Sequence, residues 1–229
     1  MTKRTGSGGI PAAAARRVEA LLRKLPAQAR PHVRESLARI GSVRTPGQAL
    51  QAFSDEVEHL LLVLMPVFVR NPLVRTPAAA RHLAALSAAT AATVEQADEL
   101  LAAVSFGGTV APGTITVLAV GVVATVVEAY AAASVRVHQL RHAGVEVDAD
   151  AVARDVHAAL FDAKQGSKRG RAAAKGLARR GASRIARRWA VGLVPVAGIA
   201  YAGYDARRTI DRVLLIPTGE ARERADLDS

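Results

Sequence analysis

The chain has 229 residues and a formal net charge of +11, and half of its residues are apolar although only 3% are aromatic. A core must therefore be built mainly from Ala, Val and Leu, whose small side chains bury little area each, about 0.8 kcal/mol per CH₂. The chain contains no cysteine, which excludes disulfides and thiolate metal sites.

Residues 1–10 are expected to be disordered, and no signal-peptide pattern follows them. Helical periodicity begins after this segment. A first helix is predicted to end at Pro26, and a second to run from Pro31 to Gly41, a residue that fits a C-terminal cap. Thr45-Pro46 supplies the N-cap and the first-turn proline of a third helix.

Pro66 and Pro72 are expected to break or kink the end of the third helix, and Thr76-Pro77 repeats the start signal for a long fourth helix. Thr90 is the one polar member of the apolar stripe of that helix, which is allowed if its hydroxyl bonds back to its own helix. Pro112-Gly113 opens a fifth helix, which is predicted to stop at Gly144.

Asp148 or Asp150 is expected to cap a shorter helix, and a last helix is predicted over residues 196–216. No segment alternates convincingly with period two. The β-branched run over residues 114–127 is the best strand candidate, and at this length a buried helix explains it better.

These elements predict an all-α fold, a bundle of seven or eight helices with two central apolar helices. Residues 11–217 are expected to form a single helical domain, with the N-terminal helices in 11–75 and the core in 76–217. Residues 218–229 are charged and are expected to form a flexible tail.

Two uncharged stretches, residues 100–127 and 189–204, raise the question of a membrane segment. The first exceeds the required length of about 20 residues, but glycine and proline pairs interrupt it. Gly198, Ala202 and Gly203 give the second a small-residue face for close helix packing, in a soluble core or in a bilayer. We favour two central helices of a soluble bundle, with an inserting hairpin as the alternative.

Sites for chemistry are weakly indicated. His138 and His142 have the i, i+4 spacing of metal ligands, but no acidic residue lies between them, and Arg136 and Arg141 would oppose a cation. A solvated helix end is the favoured interpretation. Nucleophile elbows and phosphate-binding loops are not found. No catalytic residue, metal ligand or cofactor is therefore predicted.

The positive charge is concentrated in residues 164–188, called here the basic segment, which leaves a net charge of only +1 for the rest of the chain. The segment contains no acid and ten bases: Lys164, Lys168, Arg169, Arg171, Lys175, Arg179, Arg180, Arg184, Arg187 and Arg188. Small and apolar residues recur between these bases at spacings of three and four, which predicts a weakly amphipathic helix with a wide cationic face. Trp189 follows directly, and an apolar segment begins there.

A cationic helix that leads into a tryptophan and an apolar segment is attracted to an anionic bilayer surface. The sequence thus predicts a non-catalytic protein at the cytoplasmic face of a membrane, bound to anionic lipid or to a membrane protein complex. Nucleic acid is the alternative partner, because phosphates attract the same bases, although stacking aromatics are missing. An acidic protein partner and a merely solvated face also remain open.

The C-terminal half resembles the EcsC-type family, in which a Lys/Arg-rich helix precedes an apolar Pro-Val-hydrophobic-Gly turn and a closing helix. The corresponding residues are 194–198, Val-Pro-Val-Ala-Gly, and 205–210, Asp-Ala-Arg-Arg-Thr-Ile. Pro112-Gly113-Thr114, at the start of a long apolar helix, also resembles the middle part of that family's sequences. The likeness covers residues 107–216. It implies a helical bacterial protein near a membrane, linked to an ABC transport locus, and it implies no particular chemistry.

Overall fold

The computed structural model describes residues 12–43, 46–102, 112–161 and 195–218, which form seven helices and no strand. In chain order these are α1 (Ala12–Leu22), α2 (Ala29–Gly41), α3 (Pro46–Arg70), α4 (Pro77–Ala102), α5 (Pro112–His142), α6 (Ala149–Phe161) and α7 (Pro195–Leu214). The predicted all-α bundle is confirmed.

Helix α5 lies at the centre of the bundle and contacts each of the other six helices. Residues 116–137 are all buried except Gly121, which is half-buried. Because every side of α5 meets another helix, its sequence carries apolar residues all round instead of one apolar stripe. The β-branched run over residues 114–127 is part of this helix, as predicted.

By length and composition, Ile115–His142 of α5 is sufficient to cross a membrane, and 83% of its most apolar window is buried inside the bundle. The buried core helix of a globular protein has the same composition. Packing against six neighbours therefore accounts for the apolar character of α5 without a bilayer.

Helix α7, which contains the second apolar stretch, lies at the surface of the bundle against α4, α5 and α6. Ala202 and Ala206 are buried, whereas Ala200 is exposed and Tyr204 is 61% exposed. Of the two apolar helices expected at the centre, only α5 is enclosed on all sides. The described part of α7 is amphipathic, because one of its sides packs against no other described helix.

The helix starts follow the local signals of the sequence. The Thr76 hydroxyl accepts a hydrogen bond of 3.2 Å from the backbone N–H of Ala79 at the start of α4. The Asp148 carboxylate accepts one of 2.9 Å from Ala151, so Asp148 and not Asp150 caps α6. Thr90 donates to the carbonyl of Leu86 at 2.7 Å, which confirms that its hydroxyl bonds back to α4.

The structure corrects two expectations about helix ends. Pro66 does not break α3, because it lies inside this helix, which continues to Arg70 and ends before Pro72. Its ring is exposed to solvent, and burial of Phe68 and Val69 holds the following turn against the core. Gly41 is the last residue of α2 and not a left-handed cap, because Ser42 occupies the cap position with a right-handed φ of −87°.

The end of α5 fits the glycine signal. Gly144 has a φ of +70°, and its N–H donates to the carbonyl of Arg141 at 3.2 Å. The N–H of Val145 donates to the carbonyl of Leu140 at 2.9 Å. This pair of bonds is a Schellman motif, which requires a left-handed residue after the helix.

We expect Gly144→Ala to lower the free energy of unfolding by about 1 kcal/mol, because a side chain is strained at positive φ. Gly41→Ala is the matched control. A Cβ at Gly41 meets nothing within 4 Å and its φ is not positive, so that substitution is expected to be neutral or mildly stabilising. Urea denaturation of both variants measures the difference, and equal stabilities would contradict the role of the positive φ.

Candidate functional site

The ten bases of the basic segment and Trp189 lie outside the residues that the structure describes. The amphipathic helix expected over residues 164–188 therefore stays a prediction. Gly198 belongs to the first turn of α7.

The two remaining small residues expected in helix packing lie where α7 meets the core and α4. Ala202 is buried. A Cβ at Gly203 would be 3.8 Å from the carbonyl oxygen of Ala85 on α4, which is ordinary van der Waals contact. Arg81 and Asp211 join the same two helices through an ion pair of 2.6 Å.

Arg136 of α5 is fully buried and forms an ion pair with Asp155 of α6, Nε to Oδ2, at 2.8 Å. Its two terminal nitrogens donate to the backbone carbonyls of Ile216 and Pro217 at 3.0 and 2.9 Å. The neighbouring Gln139 side chain donates to the carbonyl of Leu214 at 3.1 Å.

These bonds satisfy carbonyl groups at the C-terminal end of α7, where a positive charge is also favoured by the helix dipole. The Arg136 guanidinium is enclosed and bonded to the chain itself. It fastens α5, α6 and α7 together, and it offers no surface to an external anion.

A second buried polar contact joins α5 to α7 nearer the middle of the bundle. The Thr209 hydroxyl donates to the Glu128 carboxylate at 2.6 Å, and both residues are almost completely buried. Asp205, one turn earlier on α7, is also buried. Carboxylates at this depth are tolerated only when they are hydrogen-bonded or paired, so this contact fixes the position of α7 along α5.

The histidines do not converge on one site. His142 is exposed at the end of α5, and His138 is half-buried, with no hydrogen-bond partner for Nε2 among the described residues. His157 stacks on Phe161 with ring centroids 4.6 Å apart, and burial lowers the pKa of its imidazole, which favours the neutral form. Within the described ranges, no group of three or more His, Asp or Glu residues is placed to hold a metal ion.

A cationic surface that the sequence analysis did not identify lies on α1, α2 and the turn between them, called here the basic hairpin (residues 16–39). It contains seven bases and two acids. Glu19 pairs with Arg34 at 3.0 Å, and Glu35 pairs with Arg39 at 2.8 Å. Both acids are therefore neutralised within the hairpin.

The arginines of α2 hold the hairpin in place. Arg39 forms a two-point ion pair with Glu56 of α3, and the bond from its terminal nitrogen measures 2.8 Å. Arg30 donates to the carbonyls of Arg23 and Leu25, each at 3.2 Å, and so closes the C-terminal end of α1. These side chains are engaged with the protein.

The bases of α1 face solvent instead. Arg16, Arg17 and Arg23 are exposed, and Lys24 is half-buried, so that partial burial lowers the pKa of its ammonium. Among the described residues, no carboxylate lies within ion-pair distance of any of the four. The opposite side of α1 is apolar and buried: Val18, Leu21, Leu22 and Leu25.

Charge counts over parts of the chain would have revealed this surface. The net charge of +1 outside the basic segment is the sum of +8 in residues 1–45 and −7 in residues 46–163 and 189–229 together. The chain thus has two cationic regions, not one, and the ion pairs that separate engaged from exposed arginines become visible only in the folded structure.

Searches among protein-family models, curated proteins and solved structures find no match for this chain. The resemblance to the EcsC-type family therefore stays a prediction, and the argument for function depends on the charges and contacts above.

We expect Arg136→Met to lower the free energy of unfolding by about 3–5 kcal/mol, because it leaves the Asp155 carboxylate buried without its cation. The double variant Arg136→Met/Asp155→Leu removes both charges of this pair and should be less destabilised than the single variant. Chemical denaturation provides the comparison. A single variant as stable as the wild type would show that the pair does not hold α6 and α7.

The Arg39–Glu56 pair predicts a small dependence of stability on pH. Hydrogen bonds from Arg39 hold the pKa of Glu56 below its ordinary value, so the stabilisation is present above that ordinary value, about 4.3, and is lost as the pH falls through the lowered pKa. The half-exposed arginine limits the effect to about 1 kcal/mol or less.

Glu56→Gln should therefore be less stable than the wild type at pH 7, and this difference should shrink at pH 3. Glu58→Gln is the control, since Glu58 forms no ion pair among the described residues. Thermal unfolding at the two pH values tests the expectation, and a Glu56→Gln deficit that grows with acidity would contradict it.

Proposed function

We propose that this protein is a non-catalytic helical protein that binds the cytoplasmic face of an anionic membrane through the basic segment. A transport system in the same membrane is the proposed context, which follows from the resemblance to the EcsC-type family.

The observation that carries the proposal is the charge of the basic segment. Residues 164–188 hold ten bases and no acid, and Trp189 and an uncharged stretch to residue 204 follow directly. Each base near an anionic bilayer contributes about 1 kcal/mol of attraction, and tryptophan favours the boundary between lipid and water.

The enclosure of α5 supports association at the surface over insertion. Inserting α5 into lipid would expose the Arg136 guanidinium, which is 0% exposed in the bundle, and would separate it from its partners on α6 and α7. Burying such a charge in hydrocarbon is costly, so the bundle favours a protein that stays folded on the membrane.

Nucleic acid is the second candidate for the same charges, because phosphate contacts alone supply non-specific binding to a duplex. The low aromatic content argues against recognition of single strands by stacking, since only eight of the 229 residues are Phe, Trp or Tyr.

Sedimentation with vesicles tests the proposal. At low ionic strength the protein should pellet with vesicles that contain phosphatidylglycerol and remain in the supernatant with phosphatidylcholine alone. Replacing Arg179, Arg180 and Arg184 by Gln should weaken binding by about fivefold per base, and added salt should weaken it further.

Equal recovery of the protein in the supernatant with both vesicle types would contradict the proposal. A parallel mobility shift with duplex DNA distinguishes the alternative. Tight, steeply salt-dependent DNA binding without any vesicle binding would assign the basic segment to nucleic acid.

A further inference from the structure

The structure assigns a second cationic contact surface to the outward face of α1 and the turn that follows it, formed by Arg16 and Arg17 of the helix and by Arg23 and Lys24 of the turn. We propose that this face, called here the α1 face, binds the headgroups of anionic lipids together with the basic segment. The inference rests on the proposed function, and its experiment is arranged so that the two can fail separately.

The arrangement of the four bases follows from helix geometry. Arg16 and Arg23 are seven residues apart and lie on one side of Ala20, and Arg17 and Lys24, also seven apart, lie on the other. The two rows extend about 10 Å at 1.5 Å per residue, because the N–H of Arg23 donates to the carbonyl of Glu19 at 3.0 Å and continues the helical path just beyond Leu22. Ala20 between them is exposed and small, so it does not hold a flat surface away from the bases.

Within the part of the chain that the structure describes, no acidic side chain compensates the charge of the α1 face. Glu19, the nearest acid in the sequence, has both carboxylate oxygens bonded to the Arg34 guanidinium, at 3.0 and 3.1 Å. The carbonyls of Arg23 and Leu25, in the turn that follows α1, accept hydrogen bonds from Arg30. The face therefore presents cations without an intervening negative group.

The contrast with α2 indicates that this pattern is not a general consequence of arginine content. Arg34 and Arg39 carry the same charge, yet they are bonded to Glu19, Glu35 and Glu56. Bases that form no ion pair among the described residues are less constrained by the fold than Arg34 and Arg39, and their charge is available for binding a polyanion.

A lipid surface fits the α1 face better than nucleic acid. The apolar side of α1 is buried against the bundle, so only a shallow row of bases is accessible, and α1 cannot enter a groove. The exposed face also lacks Asn, Gln and aromatic side chains, which read or stack bases. A planar array of phosphates requires only charge.

Two cationic surfaces on one chain bind a bilayer more tightly than either alone, because the second contact is intramolecular once the first has formed. The test compares the wild type with the triple variant Arg16→Gln/Arg17→Gln/Arg23→Gln on phosphatidylglycerol vesicles. At low ionic strength we expect the partition coefficient of the triple variant to fall by about 100-fold, roughly fivefold per base.

A matched control removes the same charge elsewhere. Arg154→Gln/Arg207→Gln/Arg208→Gln neutralises three exposed arginines on α6 and α7, helices that are not among the neighbours of α1. This control should bind vesicles more tightly than the triple variant, because it removes the same net charge without removing a base of the α1 face. A control as weak as the triple variant would reduce the effect to net charge and overturn the inference.

Ala20→Glu gives an independent variant that keeps every arginine. Glutamate is a good helix former at this exposed position, and its carboxylate lies within reach of Arg16 and Lys24, four residues away on either side. We expect vesicle binding to fall in this variant as well, by about fivefold or more, with an unchanged circular dichroism spectrum.

The outcomes separate the two claims. If the wild type fails to bind anionic vesicles, the proposed function is wrong and the α1 face has no lipid role. If the wild type binds and both α1 variants bind equally well, only the inference is overturned. If the variants lose affinity for duplex DNA and keep their affinity for vesicles, the α1 face belongs to nucleic acid and the lipid assignment is wrong.

Discussion

The enclosure of α5 by six other helices is the constraint on which the described fold depends. A helix with a neighbour on every side has no face for polar residues, and its neighbours can approach only where its side chains are small. Ala129, Ala131, Ala132 and Ala133 are each 0% exposed, so the backbones around this part of α5 lie close. The scarcity of aromatic residues is thus compensated by the density of contacts, since many short dispersion contacts sum to a large attraction.

The same enclosure determines how the polar residues of α5 behave. Water does not reach Arg136 or Glu128, so each must find its partners inside the protein. Arg136 reaches α6 and the last carbonyls of α7, and Glu128 accepts a hydrogen bond from Thr209. Apolar packing is tolerant of small shifts, whereas these bonds allow one register only. They select the arrangement of α6 and α7 from the several that an Ala-rich surface permits.

The sequence predicts those parts of the fold that are determined locally. Thr76, Asp148 and Gly144 act through hydrogen bonds within a few residues of their own positions. Their roles at helix ends can therefore be predicted without the tertiary structure. Pro66 does not break α3, although a proline removes one backbone hydrogen bond, because burial of the turn that follows it outweighs that loss. The number of neighbours around an apolar helix is a tertiary property, which is why α7 could not be distinguished from α5 by composition.

The candidate surface was predictable only in part. Counting charges over the first 45 residues indicates a basic region, and the apolar spacing of Val18, Leu21, Leu22 and Leu25 identifies which side of α1 is buried. The ion pairs of Arg34 and Arg39 could not be predicted from the sequence, because Glu19 lies 15 residues from Arg34 and Glu56 lies 17 residues from Arg39. Without those pairs, exposed and engaged arginines look alike in the sequence.

The small side chains of α5 also bear on how this chain can change over evolutionary time. A side chain larger than alanine at positions 129 and 131–133 has no solvent to extend into and would have to push its neighbours apart, so drift there is expected to be confined to the smallest residues. The exposed side of α1 has no such restriction, and a lysine or arginine can be exchanged there at little cost to folding. Related chains should therefore differ freely on their surfaces while keeping an almost invariant strip of tiny residues along the central helix.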